Sequence, residues 1–473
     1  MMKINYTILV LFLATLLSNA QSILVENIAD DTDDIENSSP AVFNVYNGTL
    51  FFRARTPDLG FELYKYDDTQ TVQLIEDIRP GDDSSTPGNF IDFNGNLYFT
   101  AYNVDRGGQD FYFTDGTNVT AAPMYAAGFA GPQNPKLLDG VIYVIGRNET
   151  GDNNRLLAFD GTTGTEAQDN QAGEETIFGG NIISYNDKLL LYMNYSEDDA
   201  TVGNELYEYD PTVGIFTLVK DIEIGTGDSG ISNFTLLDGA VYFEAEGGLY
   251  ITDGTEAGTT DVEAATNANI DGVNNLFVWD GNLYFEGDDG TGDELWKYDP
   301  FLDEVSKISD ISGDNENHDP SDFAAFDGFL YYAAEDGNDG ERHIWRTDGT
   351  TTSLVDDSVT DVNDLTLYDG VIYFRADDQG GNGIELYSLD PNNLSINEVS
   401  LSTVSTYPNP VNNRLNFSED MTGGTYTITD LTGKSVGRGT LLGKELDISL
   451  STGVYMLQVE NKTQRFTQKL IVK

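Results

Sequence analysis

The sequence has no cysteine, two histidines and three tryptophans, and only 24 Lys and Arg against 80 Asp and Glu in 473 residues. Without cysteine there is no disulfide and no thioether-linked lipid anchor, so stability must come from burial, which a chain of this length can supply. A zinc site lacks its usual ligands. Neither histidine stands near a nucleophile-elbow motif, so a serine-type triad is unsupported as well. His343, in ERHIW, reads as a partly buried strand residue; His318, in DNENHDP, lies in an acidic loop where it could join a metal site. No convincing helical stretch occurs, which removes the Gly-rich phosphate loop that opens a helix. No apolar run after residue 20 is long enough to cross a membrane as a helix.

Positive charge is scarce in a particular place. Residues 1–20 carry only Lys3, and residues 401–473 carry eight basic and six acidic residues. The body, residues 21–400, is left with 15 basic and 74 acidic residues, a net charge of −59. Such a field repels nucleic acid and anionic lipid surfaces. It suits a solvated extracellular surface or one that takes cations. A disordered acidic chain is excluded, because aromatic residues make up 11% of the sequence and recur in periodic strands.

The N-terminus reads as a secretory signal over residues 1–20. Lys3 supplies the basic region, Ile8 to Leu17 the apolar run, and Ser18-Asn19-Ala20 the small residues before the cleavage point. Cleavage after Ala20 would leave Gln21 first.

What is abundant is repetition. A two-residue turn between strand-like runs occurs at Asn47-Gly48, Asn94-Gly95, Asp139-Gly140, Asn186-Asp187, Asp238-Gly239, Asp280-Gly281, Asp327-Gly328 and Asp369-Gly370. Each is followed by an LYF-type run, a Gly/Asp-rich spacer and a phrase such as ELWKYD (Glu294 to Asp299). The dipeptides tolerate the positive φ that a type I′ hairpin demands, and the flanking runs alternate with period two. Each unit therefore reads as four antiparallel strands, and a period near 46 residues points to a repeat architecture. Eight such units predict an all-β fold: an eight-bladed β-propeller of four-stranded blades over residues 21–398. Ile23 to Ile28 (ILVENI) resembles a fourth strand with no first three, so it would complete the last blade and close the ring; Ile396 to Leu401 competes for that place.

The third strand and its turn resemble the ELWxxDGT repeat of secreted bacterial proteins. The likeness rests on Glu294-Leu295-Trp296 with Asp299, Ile344-Trp345 with Asp348-Gly349-Thr350, and Leu249-Tyr250 with Asp253-Gly254-Thr255 and Gly258-Thr259. It implies a repeat β architecture and a secreted location, and it supplies no catalytic motif or ligand. The Asp of each Asp-Gly-Thr turn reads as a turn former rather than a metal ligand. Trp279, Trp296 and Trp345 read as packing residues before sugar platforms.

After a linker over 399–406 the composition changes. Tyr407-Pro408-Asn409-Pro410-Val411, Leu415 and Phe417, Tyr426-Thr427-Ile428, Gly453-Val454-Tyr455 and the closing Lys469-Leu470-Ile471-Val472-Lys473 follow in order. Residues 407–473 resemble the type A sorting domain of the type IX secretion system of Bacteroidetes-type bacteria. The resemblance implies a small β-sandwich, recognition by the type IX machinery, and export to the medium or the outer-membrane surface of a Gram-negative cell.

Function is expected where the copies differ. The one-two and three-four turns are short and repetitive. The two-three loops and blade connections are long, variable and acidic, and in a propeller they share one face. Ca²⁺ favours hard oxygens on such loops, so the expected ligands are Asp288, Asp289, Asp293, Asp314, Asp336 and Asp339. The first functional reading is a secreted or surface-bound binding or adhesion propeller whose partner is a polysaccharide or surface protein. The second is a carbohydrate-active enzyme using loop carboxylates.

Overall fold

The computed structural model describes residues 22–29, 37–67, 69–105, 107–123, 130–147, 154–167, 169–170, 175–195, 202–311, 317–337, 340–394, 406–418, 422–429, 435–460 and 465–473. The signal expected at 1–20 and the competing closing strand at 396–401 lie outside these residues. The described chain divides into two compact units that meet at Pro391 and Asn392.

Eight four-stranded antiparallel sheets make up the first unit. Seven are simple meanders. They start with the strands Ala41–Tyr46, Gly88–Phe93, Ala130–Leu138, Glu175–Tyr185, Ser232–Leu237, Asp271–Trp279 and Ser321–Phe326, which open blades 1 to 7. Blade 8 starts at Thr360–Tyr368 and has only three strands of its own. Its fourth is Ile23–Glu26, antiparallel to Glu385–Leu389, with Ile23 opposite Ser388 and Leu24 opposite Tyr387. The first strands touch their neighbours in sequence order, and the strand of blade 8 touches that of blade 1. The sheets thus form a closed ring, a β-propeller, as the stray ILVENI phrase predicts.

All eight predicted hairpin turns have positive φ at both central residues, for example 49° and 73° at Asp280 and Gly281. One helix departs from the all-strand expectation. Glu263–Asn267 forms a single turn in the connection between blades 5 and 6, where EAATN offers Ala at the packed position. Five residues are too few for a helical period to show in the sequence.

Aromatic pairs join the blades. Phe93 faces Phe159 between blades 2 and 3, Tyr143 faces Tyr209 between 3 and 4, and Tyr242 faces Tyr298 between 5 and 6. Tyr66 and Tyr373, 5.3 Å apart, make the same contact between blades 1 and 8. Each such pair contributes about 0.5–1.5 kcal/mol beyond its buried area.

The ELY glutamates are wholly buried. Glu62, Glu205, Glu294 and Glu385 begin the core of strand three in blades 1, 4, 6 and 8, at or below 1% exposure. Each carboxylate accepts the N–H of an isoleucine just beyond a fourth strand: Ile78 (3.0 Å), Ile222 (2.8 Å), Ile311 (3.2 Å) and Ile28 (2.9 Å). Glu62 and Glu385 also accept N–H and hydroxyl from Ser85 and Ser38 on the connection to the next blade. In blade 6 the connection carries His318 where the others carry serine, and the Ser309 hydroxyl bonds Glu294 instead. A buried donor without a partner costs about 1–3 kcal/mol, so these bonds pin the strand and the connection together. In blade 8 the same latch holds the N-terminal strand, since Ile28 and Ser38 are its donors.

A β-bulge recurs near the start of the first strand in seven blades. Its left-handed residue is Asn89, Asn134, Asn233, Asn275, Asp322 or Asp364, with φ between 47° and 59°; in blade 1 it is Val42, at 58°. Asn and Asp reach this region at little cost, whereas a β-branched residue is strained there.

The second unit carries two antiparallel sheets. One joins Thr406–Tyr407, Arg414–Phe417 and Glu445–Asp447; the other joins Ser435–Thr440, Thr425–Thr429, Gly453–Glu460 and Arg465–Val472. Leu415, Phe417 and Leu446 from the first share a core with Ile428, Leu457, Val459 and Leu470 from the second. Two sheets on one core make the expected small β-sandwich.

Two outcomes follow. Glu385→Ala lowers stability by about 3 kcal/mol, because three donors lose their acceptor, and limited proteolysis then cuts first within residues 22–40; unchanged melting and cleavage would refute the latch. Val42→Asn raises stability by about 1 kcal/mol through relief of the left-handed strain, read as a higher melting temperature; a lower one refutes the strain.

Candidate functional site

The face with the three-four turns has its carboxylates spent. Asp67, Asp115, Asp160, Asp210, Asp253, Asp299 and Asp348 each accept the backbone N–H two residues on, at 2.7–3.0 Å. The hydroxyls of Thr162 and Thr350 and these N–H groups draw Asp160 and Asp348 down to about 2. These aspartates form turns, as the sequence reading expects.

The opposite face is built where two-three loops meet the connections. Ser85 donates its N–H to the Phe61 carbonyl, Ser229 to that of Asn204, and His318 to that of Asp293. Backbones approach so closely that a Cβ on Gly60 would lie 2.6 Å from the Asp83 carbonyl oxygen. This contact holds variable loops of neighbouring blades against one another.

The six expected calcium ligands fall into different places. Asp293 joins Glu286 and Asp319 in a group whose ligand oxygens lie within 4.8 Å of one another. Glu286 is on the second strand of blade 6, Asp293 opens its third, and Asp319 immediately precedes blade 7. Burial first, then Asp293 and Asp319, push Glu286 up to about 7, and burial raises Asp293 as well. Arg342 stands nearby but donates to the carbonyls of Asp319 and Ala333 and to the Ser321 hydroxyl. Asp288 accepts Gly290 and Gly292 N–H within its own loop, and Asp289 pairs with Lys307 at 3.1 Å. Asp336 lies just beyond the second strand of blade 7. Asp314 and Asp339 lie outside the described residues.

Glu286 and Asp319 escaped the sequence reading. Glu286 sits in NLYFE, a strand phrase, and Asp319 follows His318 in a connection. The register of strands two and three, with Asp288 opposite Asp293, sets Glu286 diagonally beside Asp293, and the connection to blade 7 adds Asp319. The available signal was a carboxylate at the fourth place of the LYF run, which only Glu244 and Glu286 carry among the eight copies.

The histidines are structural. His318 is buried, with Nδ1 at 2.5 Å from the Glu335 carbonyl and Nε2 at 3.2 Å from the Tyr332 hydroxyl. Both ring nitrogens are engaged, so it is no metal ligand here, and burial lowers it to about 4. His343 replaces the ELY glutamate in blade 7 and is likewise buried, with Nδ1 on the Val359 carbonyl. The Nε1–H groups of Trp296 and Trp345 bond the carbonyls of Gly287 and Ala334, and both rings are buried.

The class is therefore a β-propeller with a small β-sandwich after it. Residues 405–473 match the family described as the secretion system C-terminal sorting domain. That tail implies export through the type IX secretion system, so the protein is secreted or held at the cell surface of a Bacteroidetes bacterium. Among the described residues no helix is long and apolar enough to cross a membrane. No curated protein matches the chain. Similar solved structures include PorZ, a surface component of the type IX secretion system of Porphyromonas gingivalis, at 13% identity and TM-score 0.38 over 91% of this chain and 69% of that one. The β-propeller domain of the Trilobed protease from Pyrococcus furiosus matches at 13% and 0.42, over 68% and 99%. A puromycin-hydrolysing peptidase from Mycobacterium tuberculosis matches at 12% and 0.44, over 76% of this chain and 61% of that one. Identities this low speak of architecture and not of activity.

The buried acids set a pH dependence. Burial pushes Glu62 and Glu205, like Glu286, up to about 7. The unfolded chain releases these protons near pH 4.3. Between those limits the folded state holds more protons, so stability falls as pH rises. His318, lowered to about 4, gives the opposite slope up to its free value, but it is one group against three. Melting temperature therefore drops from pH 5 to pH 7.5, and Glu62→Gln with Glu205→Gln flattens the drop. A flat or rising wild-type profile contradicts this reading.

Proposed function

We propose that the protein is a secreted or surface-held binding propeller, an adhesion module of the ELWxxDGT type, that engages a polysaccharide or surface protein with its loop face. The carrying observation is the division between the two faces. One face uses its aspartates to close turns. The other holds variable loops against each other and gathers three acids, Glu286, Asp293 and Asp319, whose neighbour Arg342 gives its hydrogen bonds to carbonyls and a hydroxyl. The sorting tail delivers such a surface to the outside of the cell.

The calcium expectation belongs to this reading, with Glu286 and Asp319 beside Asp293. Three carboxylates offer up to six hard oxygens, the number Ca²⁺ prefers. Burial first, then the neighbouring acids, raises the proton affinities of Glu286 and Asp293. Calorimetric melting after EDTA, then in millimolar CaCl₂, gives a rise of several degrees with Ca²⁺, and Glu286→Gln with Asp293→Asn abolishes it. An unchanged melting temperature with no metal in native mass spectra removes Ca²⁺ from the account.

Incubation of the mature protein with bacterial and algal polysaccharides tests the binding itself. Retention without product is expected. New reducing ends or unsaturated sugars would favour the carbohydrate-active enzyme, and no retention would contradict binding.

A further inference from the structure

One position recurs around the inside of the ring, three residues after the start of the buried run of each second strand. It reads Arg53, Thr100, Ile145, Tyr192, Glu244, Glu286, Ala333 and Arg375 from blade 1 to blade 8. The scaffold is the same in each blade, so these side chains are free to vary for other reasons. Glutamates occupy blades 5 and 6, and arginines occupy blades 8 and 1.

The two arginines differ. Arg375 is paired with Asp364 at 3.5 Å. Arg53 has no carboxylate at ion-pair distance among the described residues; its guanidinium carbon lies 5.9 Å from the centre of the Phe61 ring. The charge of Arg53 also reaches Asp364, but among the described residues only Arg375 stands at ion-pair distance from that carboxylate. Arg53 lines an open cavity of about 310 Å³ between blades 1, 2 and 3. The walls are amides and hydroxyls: Asn89, Gln109 and Gln133, with Thr86 and Thr100. No carboxylate and no aromatic ring lines it.

Parts of that lining are already held. Asn89 donates to the Thr100 hydroxyl at 3.1 Å, and Gln109 donates to the Thr86 hydroxyl at 2.9 Å. These bonds fix the wall before a ligand arrives, which reduces the ordering cost of binding. Gln109 keeps a buried Oε1 with no donor.

The geometry points to a saccharide unit bearing one anionic group, carboxylate or sulfate, with that group on Arg53 and its hydroxyls on the amide wall. A guanidinium forks onto such an oxyanion with two parallel bonds. The missing aromatic wall disfavours a nucleobase, and Pro132 offers a small apolar patch of the kind a sugar ring's C–H face can cover. The volume is at the lower end for small-molecule sites, which suits a single sugar ring. The body's charge repels an anion at a distance, but salt screens that field over about 8 Å at physiological strength. Arg53 acts inside that distance. This site rests on the glycan-binding reading above and lies apart from the Glu286 group.

The test is calorimetric titration of the mature full chain with three probes of equal length: trigalacturonate, a sulfated galactotriose and neutral galactotriose. At least one anionic probe binds at least tenfold more tightly than the neutral one, and the comparison of the two tells carboxylate from sulfate. Arg53→Ala weakens that probe at least tenfold at unchanged melting temperature, and Arg53→Lys weakens it less. Equal binding of the neutral probe, indifference to Arg53→Ala, or no binding of either anionic probe overturns the site. Retention on whole polysaccharide that survives Arg53→Ala leaves the binding function standing without this site, whereas no retention of the wild-type protein removes both.

Discussion

A carboxylate taken out of water must find donors, and in this ring it finds them at the seam between one blade and the next. Glu62, Glu205, Glu294 and Glu385 each draw in a backbone N–H just beyond a fourth strand, and three of the four also hold a serine hydroxyl. The bond is local in blades 1, 4 and 6 and long-range in blade 8. There it ties residues 28 and 38 to residue 385, so one repeated interaction becomes the closure of the ring. The aromatic pairs add non-directional attraction between blades; the latches fix where each connection runs.

That fixed course matters for function. Because the connection is pinned beside the start of strand three, the two-three loop and the connection of each blade meet on one face. Variation there leaves the frame untouched. Thus Glu286, Asp293 and Asp319 can gather across blades 6 and 7, while Arg53 stands in an amide-lined cavity across blades 1 to 3. The frame and the working surface are separated by the same hydrogen bonds that hold the frame together. The sandwich of residues 406–473 has its own core and serves export.

Much of the frame was legible in the residues. Seven Asn-Gly and Asp-Gly pairs and Asn186-Asp187 announce positive φ, and together they count eight sheets. ILVENI is readable as a fourth strand because its apolar pattern matches LIEDI and LVKDI. The tail is readable because its motifs keep their order. The rest depends on contacts that a linear pattern does not carry. The ELY glutamate sits in an otherwise apolar strand, and its role appears only once the Ile amide reaches it. Val42 looks like any strand valine until the bulge places it where six other blades use Asn or Asp. Of the acids singled out for calcium, Asp293 is grouped, whereas Asp288 and Asp289 serve their own loop and Lys307. Spacing alone does not tell a turn-forming acid from one facing a neighbouring blade.

The central claim is that buried glutamates hold the chain just beyond the fourth strand in blades 1, 4, 6 and 8. Native-state hydrogen exchange of the amides of Ile28, Ile78, Ile222 and Ile311 tests it most directly. These residues lie at or beyond the ends of their strands, where a free amide exchanges at loop rates. The account predicts protection at all four comparable to the central strands of their blades. Exchange at the rate of the adjacent connections would contradict it.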